Sequence, residues 1–349
     1  MRRKLLLTIS IAVALGACGA PEPYPTPTPA FGLPSLELPA DEAPHDFQAE
    51  WWYFNLHLTD ETGSRYALHD VVFQVQQLES SRTIYVRQIG LGEVASSTHH
   101  TAERLRTTDE PLTDVPGDFK IIIGGGLVTG SDGERYQLVG SAGSIDYDLT
   151  LDTMAGFIAH DDDGLVDLGE SGVTYYYSRP RLEVTGTISI AGDERTVTGL
   201  GWLDKQWGNF QPVEVYWDWA SVQLEDGTDL MLTNLYDVER RSIDVYATLR
   251  RPGHREQRLN ADEFTFRPLG DTWYSARTET TYNTHWEVKV PSEGIEILLS
   301  PLIVESEFVS AFLGVVYWEA GVDVIDTAGQ LVGQGFVELN WGRNAALVN

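Results

Sequence analysis

The segment Gly199-Leu200-Gly201-Trp202-Leu203-Asp204-Lys205-Gln206-Trp207-Gly208 returns near the C-terminus as Gly333-Gln334-Gly335-Phe336-Val337-Glu338-Leu339-Asn340-Trp341-Gly342. Four positions are identical and four more keep their chemistry, among them Asp204 with Glu338 and Gln206 with Asn340. A second echo aligns Trp51, Tyr53, His57, Leu58, Asp60 and Gly63 with Trp217, Trp219, Gln223, Leu224, Asp226 and Gly227, with Glu61 and Thr62 inserted at a hairpin tip. Each half therefore opens with an aromatic strand and closes with a G-x-G-[WF]-x-[DE]-x-[QN]-W-G strand. The spacing between copies is too long for a solenoid or propeller and indicates duplicated domains.

The intervening sequence supports an all-β reading. Runs such as Ala67–Gln76, Thr83–Leu91, Ser144–Leu151, Arg181–Ile190, Asp229–Tyr236 and Leu313–Val324 alternate apolar and polar residues between Gly or Asp-Gly turns, and no amphipathic helix of normal length interrupts them. Short strands at regular spacing predict antiparallel barrels or sandwiches. The expected organisation is a signal segment over 1–18, a proline-rich stalk over 19–45, a first domain over 46–210 and a second over 211–349.

Met1–Cys18 has a basic head (Arg2, Arg3, Lys4), an apolar core and the sequence Leu15-Gly16-Ala17-Cys18. This resembles the lipobox of bacterial lipoproteins, which implies lipidation of Cys18 and anchoring to a membrane. Gly19, rather than Asp, follows Cys18; by the same resemblance the expected location is the periplasmic face of the outer membrane in a two-membrane bacterium, otherwise the cell surface. Cys18 is the only cysteine of 349 residues, so the exported domains are expected to fold without disulfides. The formal net charge is −28. Loss of Arg2, Arg3 and Lys4 leaves 21 basic against 52 acidic residues, a net −31, which repels phosphate backbones and excludes nucleic acid as a natural partner.

Several apparent motifs dissolve. Gly124-Gly125-Gly126 has neither a following Lys nor a helix to hold phosphate, His99-His100 lacks companion ligands for a metal, and there is no G-x-S-x-G elbow. No metal and no cofactor is expected. In the repeated strand, by contrast, Trp202, Asp204 and Gln206 share one face and Leu203, Lys205 and Trp207 the other. An acid flanked by an aromatic and an amide thus occurs twice. If that face points into a barrel, burial raises the carboxyl pKa and makes Asp204 or Glu338 a general acid; the alternative is an acid that faces solvent or ties a loop. Trp52, Tyr177, Trp202, Trp207, Trp219 and Tyr236 are candidates to line an apolar ligand site, where their rings can stabilise a developing cation; the alternative use of such rings is to plug the barrel. His69-Asp70 do not form a direct pair, because neighbours on a strand face opposite sides.

Glu50-Trp51-Trp52-Tyr53-Phe54-Asn55, Tyr176-Tyr177-Ser178-Arg179-Pro180-Arg181-Leu182, Gly201–Gly208, Tyr282–Trp286 and Tyr317-Trp318-Glu319 through Gly335–Leu339 together resemble the AttH and carotenoid 1,2-hydratase family. The resemblance implies two tandem lipocalin-like β-barrel or sandwich domains with a hydrophobic ligand site in or between them. It also implies either a hydratase acting on isoprenoid double bonds or, for the AttH type, association with an ABC export system. Hydratase-like members carry Asp-His before the Trp; here the His position is Lys205, which makes Asp204, Lys205 and Glu338 the catalytic candidates with altered chemistry. Three readings follow: a membrane-tethered module binding a lipid or isoprenoid; an enzyme protonating an alkene through a carboxylic acid; and a structural envelope protein without a cavity.

Overall fold

The computed structural model describes residues 32–76, 82–108, 115–210 and 215–343. Cys18 and its flanking segment lie outside these residues. The first sheet contains β1 (Ala49–Asp60), β2 (Arg65–Gln76), β3 (Thr83–Glu93), β4 (Thr98–Thr108), β5 (Asp118–Ile123), β6 (Gly126–Ser131), β7 (Arg135–Ala142), β8 (Ile145–Thr153), the short β9 (Ile158–Ala159) and β10 (Leu165–Asp167), β11 (Val173–Ile190) and β12 (Asp193–Gly208). The second contains β13 (Tyr216–Leu224), β14 (Asp229–Tyr236), β15 (Ser242–Arg250), β16 (Gln257–Asn260), β17 (Thr265–Pro268), β20 (Trp286–Val290), β21 (Ile295–Pro301), β22 (Glu307–Val309), β23 (Val315–Asp326) and β24 (Leu331–Arg343), with β18 (Thr272–Ser275) and β19 (Thr280–Asn283) forming a separate hairpin. Among the described residues, only short 3-10 turns interrupt the strands and there is no α-helix.

The two sheets repeat one topology: β4-β3-β2-β1-β12-β11-β8-β7-β6-β5 in the first and β16-β15-β14-β13-β24-β23-β21-β20-β17 in the second. The opening aromatic strand pairs in each half with the closing repeat strand, Tyr53 opposite Asp204 and Trp219 opposite Glu338. Both sheets curl; in the first, β3 and β4 swing over to pack against β5 and β7. The architecture is a tandem pair of lipocalin-type near-barrels.

The repeated glycines have a steric cause. A Cβ at Gly199 would stand 2.0 Å from the His57 carbonyl oxygen, and one at Gly335 2.1 Å from that of Ser221. The repeat strand crosses its neighbour too closely there for any side chain.

Alternation along β1 sends Trp52, Phe54, Leu56 and Leu58 into the first barrel's core, where they meet Phe119, Tyr136 and Leu138. Burial of each such side chain contributes about 1.5–3 kcal/mol relative to exposure. The other face, Trp51 and Tyr53, joins Trp202, Trp219, Met231, Leu235 and Phe336 in a cluster drawn from both halves. The barrels thus pack directly on one another through the outer faces of their central strands, and those strands are buried on both sides.

Contacts across the junction are reciprocal. His57 Nε2 bonds the Gly335 carbonyl at 2.7 Å and its counterpart Gln223 donates to the Gly201 carbonyl at 2.9 Å. Ion pairs close the ends of the interface, with Arg181 2.9 Å from Asp229 and Arg65 against Asp323. The end of the expected stalk also differs from a free linker. Leu33, Leu36 and Leu38 pack on Trp207 and Tyr175, and the fully buried Glu42 binds Arg179 at 2.6 Å and accepts from Tyr136 at 3.0 Å. Apolar side chains spaced among the prolines have an apolar barrel end to cover.

Candidate functional site between the barrels

Strand alternation turns Trp202, Asp204 and Gln206 away from the first barrel's core and toward the second barrel, and does the same for Phe336 and Glu338 in reverse. The repeat face points neither into its own barrel nor to solvent; it is the other domain that desolvates the acids. Between the barrels lies a cavity of about 390 Å³. Its walls include Trp51, Phe73, Leu168, Trp217, Trp219 and Leu235, and its polar groups include Asp204, Glu338, Tyr176 and Tyr317. Among the described lining residues there is no Lys, Arg or His. Phe210 and Val215, which bracket residues 211–214, also line it, so the cavity sits beside the link between the halves.

Asp204 accepts hydrogen bonds from the Tyr176 and Ser178 hydroxyls and from Trp202 Nε1 at 2.5 Å. Burial pushes its pKa up to about 6, with those three donors opposing. Tyr176 accepts in turn from Trp219 Nε1 at 3.0 Å, which ties the first acid to a strand of the second barrel. Ser178 lies 2.7 Å from His160 Nε2, and His160 Nδ1 lies 2.9 Å from the Thr248 hydroxyl. Burial lowers the His160 pKa to about 3, so the ring is neutral.

Glu338 is pushed up to about 8, first by burial and then by the charge of Asp204, against a hydrogen bond from Trp217. Directly across on β23 sits Glu319, fully buried, accepting from the Tyr53 hydroxyl and from Asn55 Nδ2 at 2.7 Å, with His69 Nδ1 at 3.1 Å. Burial, then the charge of Glu338, holds the Glu319 carboxyl well above the usual range. The mouth is framed by the loop before β23, where Phe312 and Leu313 line the cavity. Glu103 of the first barrel accepts there from Ser310 Oγ at 2.5 Å and from the Ala311 and Phe312 amides at 2.9 and 3.2 Å.

Of the residues singled out in the sequence, the structure brings Asp204, Glu338 and Trp219 to the cavity, while Trp202 backs the Asp204 carboxyl without forming wall. Lys205, Trp52, Trp207 and Tyr177 lie on the opposite face, away from it. Lys205 is paired with Glu50 inside the barrel and sits 4.1 and 4.9 Å from the Trp52 and Trp207 ring centres; burial lowers its pKa and Glu50 opposes. Trp207 is stacked between His45 at 4.1 Å and Tyr175 at 5.0 Å. Tyr236 donates to Asp218 at 3.1 Å, also outside the cavity.

Sequence reasoning missed Tyr176, Ser178, His160, Glu319 and His69 as a set. One signal was available: Tyr176-Tyr177-Ser178 and Tyr317-Trp318-Glu319 occupy corresponding strands of the two halves, with Ser178 beside Asp204 and Glu319 beside Glu338. His69 and Asp70 do face opposite ways. Asp70 holds Arg87 inside the barrel at 2.5 Å while His69 reaches Glu319.

Fold and site together define a class: tandem lipocalin-type barrels that enclose a carboxyl-bearing apolar cavity at their junction. Within that class the chain belongs to the AttH-like family, whose model matches residues 30–342. An AttH protein from Nitrosomonas europaea superposes with a TM-score of 0.80 at 27% identity, covering 90% of this chain and 99% of that one. Kievitone hydratase from Nectria haematococca superposes with a TM-score of 0.72 at 17% identity, covering 89% of this chain and 94% of that one. CghA with Sch210972 bound shares the fold at a TM-score of 0.53 and 14% identity, covering 84% and 89%. No curated protein matches the chain in sequence.

Proposed function

We propose that this protein is a cofactor-independent enzyme that protonates the double bond of a neutral, apolar, isoprenoid-like substrate held between its barrels, after which water or an internal nucleophile adds. The observation that carries this reading is the pair of carboxyls, Asp204 and Glu338, opening into one apolar cavity with their pKa values on either side of neutrality, about 6 and about 8. Such a split assigns the roles. At pH 7 Glu338 holds its proton and Asp204 has lost it.

In a hydration, the Glu338 proton bonds to one alkene carbon using the π pair, and the cation forms at the other. Trp217, Trp219 and Trp51 line the cavity, where their π systems can stabilise it. Water then bonds to that carbon and gives its proton to Asp204, so that alkene and water become an alcohol. An intramolecular nucleophile in place of water gives a cyclised product. The lack of basic side chains among the described lining residues disfavours an anionic head group. That a hydratase shares this fold supports the reading as a precedent for the scaffold, not for the substrate.

Incubation of the protein in D₂O with a panel of neutral prenylated and terpenoid alkenes tests the proposal. Deuterium entering a C–H bond, lost in Glu338→Gln and Asp204→Asn, is the expected outcome. Co-purified lipid in the cavity with no deuterium incorporation from any alkene would favour instead a binding module, which the same apolar walls serve equally well.

A further inference from the structure

We infer that Glu319 and His69 form a proton-supply pair that recharges Glu338 from behind, through the interface rather than through the cavity mouth. The inference rests on the enzyme reading above. An apolar molecule that fills the cavity, substrate or product, excludes water from Glu338, and the relay returns its proton while the cavity is still occupied.

The route is built from both barrels. Glu319 stands opposite Glu338 on the adjoining strand, the distance at which paired side chains interact. Its other side meets His69 Nδ1 at 3.1 Å. Beside His69 lies a small void of about 10 Å³, the volume of about one water molecule, whose mostly apolar lining carries the polar groups of Glu319, His69, His99 and Ser306. His99 is partly exposed, with its ring centre 6.1 Å from that of His69.

The placement of His69 has a steric signature. A Cβ at Gly90 on the neighbouring strand would fall 2.1 Å from the imidazole, so the glycine clears the space the ring occupies. Burial, and then the neighbouring His99, holds His69 well below its usual pKa, which keeps the ring neutral and able to pass a proton without trapping it. The other acid has no such route behind it and gives up its proton through the cavity as product leaves. The chain behind Asp204 runs through Ser178 and His160 and stops at Thr248, which is buried.

The transfer is a relay of single protons. Glu319 gives its proton to the Glu338 carboxylate; Glu319 takes the Nδ1 proton of His69; Nε2 of His69 gains one from water in the void. One solvent proton reaches Glu338, and no bond other than O–H and N–H changes. Glu319 and His69 are therefore positioning residues, not groups that touch substrate.

A rapid pH drop on the full chain with its cavity filled by a saturated terpenoid alkane, which cannot react, followed in the infrared at the protonated-carboxyl stretch, tests this. The Glu338 band is identified by its loss in Glu338→Gln. In Glu319→Gln and His69→Ala its return is expected to slow by roughly 100-fold, the low end of what a positioned proton donor contributes. The final amplitude should be unchanged, and imidazole added to His69→Ala should restore the rate. Equal rates in wild type and both variants overturn the relay. So does a slowing of His69→Ala that imidazole leaves untouched, which marks His69 as structural. Absence of any Glu338 band in the wild type at pH 7 overturns the enzyme reading itself, a result distinct from either.

Discussion

Asp204 and Glu338 occupy equivalent positions of the repeated strand, yet their surroundings separate them. Asp204 has three hydrogen-bond donors to hold its charge, whereas Glu338 has Trp217 to oppose burial and a carboxylate neighbour to add to it. A bell-shaped dependence of kcat/KM on pH follows, with limbs near 6 and 8. Glu338→Gln is expected to lower kcat by roughly 10²–10⁴-fold and to remove the alkaline limb. Stability moves the other way. Both carboxyls have folded pKa values above their unfolded ones, so their stabilising protonation is complete below about pH 4 and is lost as pH rises through about 6 for Asp204 and about 8 for Glu338. Glu338→Gln should therefore gain on wild type by roughly 2–4 kcal/mol between pH 5 and pH 9. Thermal melts at the two pH values measure this; a difference that does not grow with pH would mean that Glu338 is solvated.

The central strands β1, β12, β13 and β24 are each covered on both faces, by a barrel core on one and by the other barrel on the other. Their glycines permit the tight crossing. Gly335→Ala places a methyl against the Ser221 carbonyl, and since that oxygen belongs to a paired backbone it has nowhere to move. A loss of about 3 kcal/mol is expected by denaturant titration. A shift of under about 0.5 kcal/mol, the size of an ordinary surface substitution, would show that the crossing is loose.

Across the whole molecule the apolar cluster, the reciprocal backbone contacts and the terminal ion pairs join the barrels over the same strands that carry the acids. One cooperative unfolding transition is expected by calorimetry, and a fragment ending at Gly208 should expose Trp51, Tyr53 and Trp202 and lose stability. Two well-separated transitions would contradict the shared core. For the chain in its cell we propose the lipid anchor at Cys18; fractionation of Cys18→Ala should find it released from membranes, and retention would remove the anchor from the proposal.

The duplication, the all-β class and the two acids of the repeat were legible in the sequence, because a side-chain period of two and a repeated G-x-G-[WF]-x-[DE] are local properties of the chain. The face was not. When a strand is buried on both sides, alternation separates Asp204 from Lys205 but cannot say which side meets a filled core and which a cavity. Hence Lys205, Trp52, Trp207 and Tyr177 read as site residues although they pack in the first barrel, and nothing in the sequence joins His69 to Glu319 or either of them to Glu338. Glu319 meets Tyr53, Asn55 and His69 only because the second barrel lies on the first. Contacts between groups some 250 residues apart are set by how two closed surfaces fit, and that fit has no period to read.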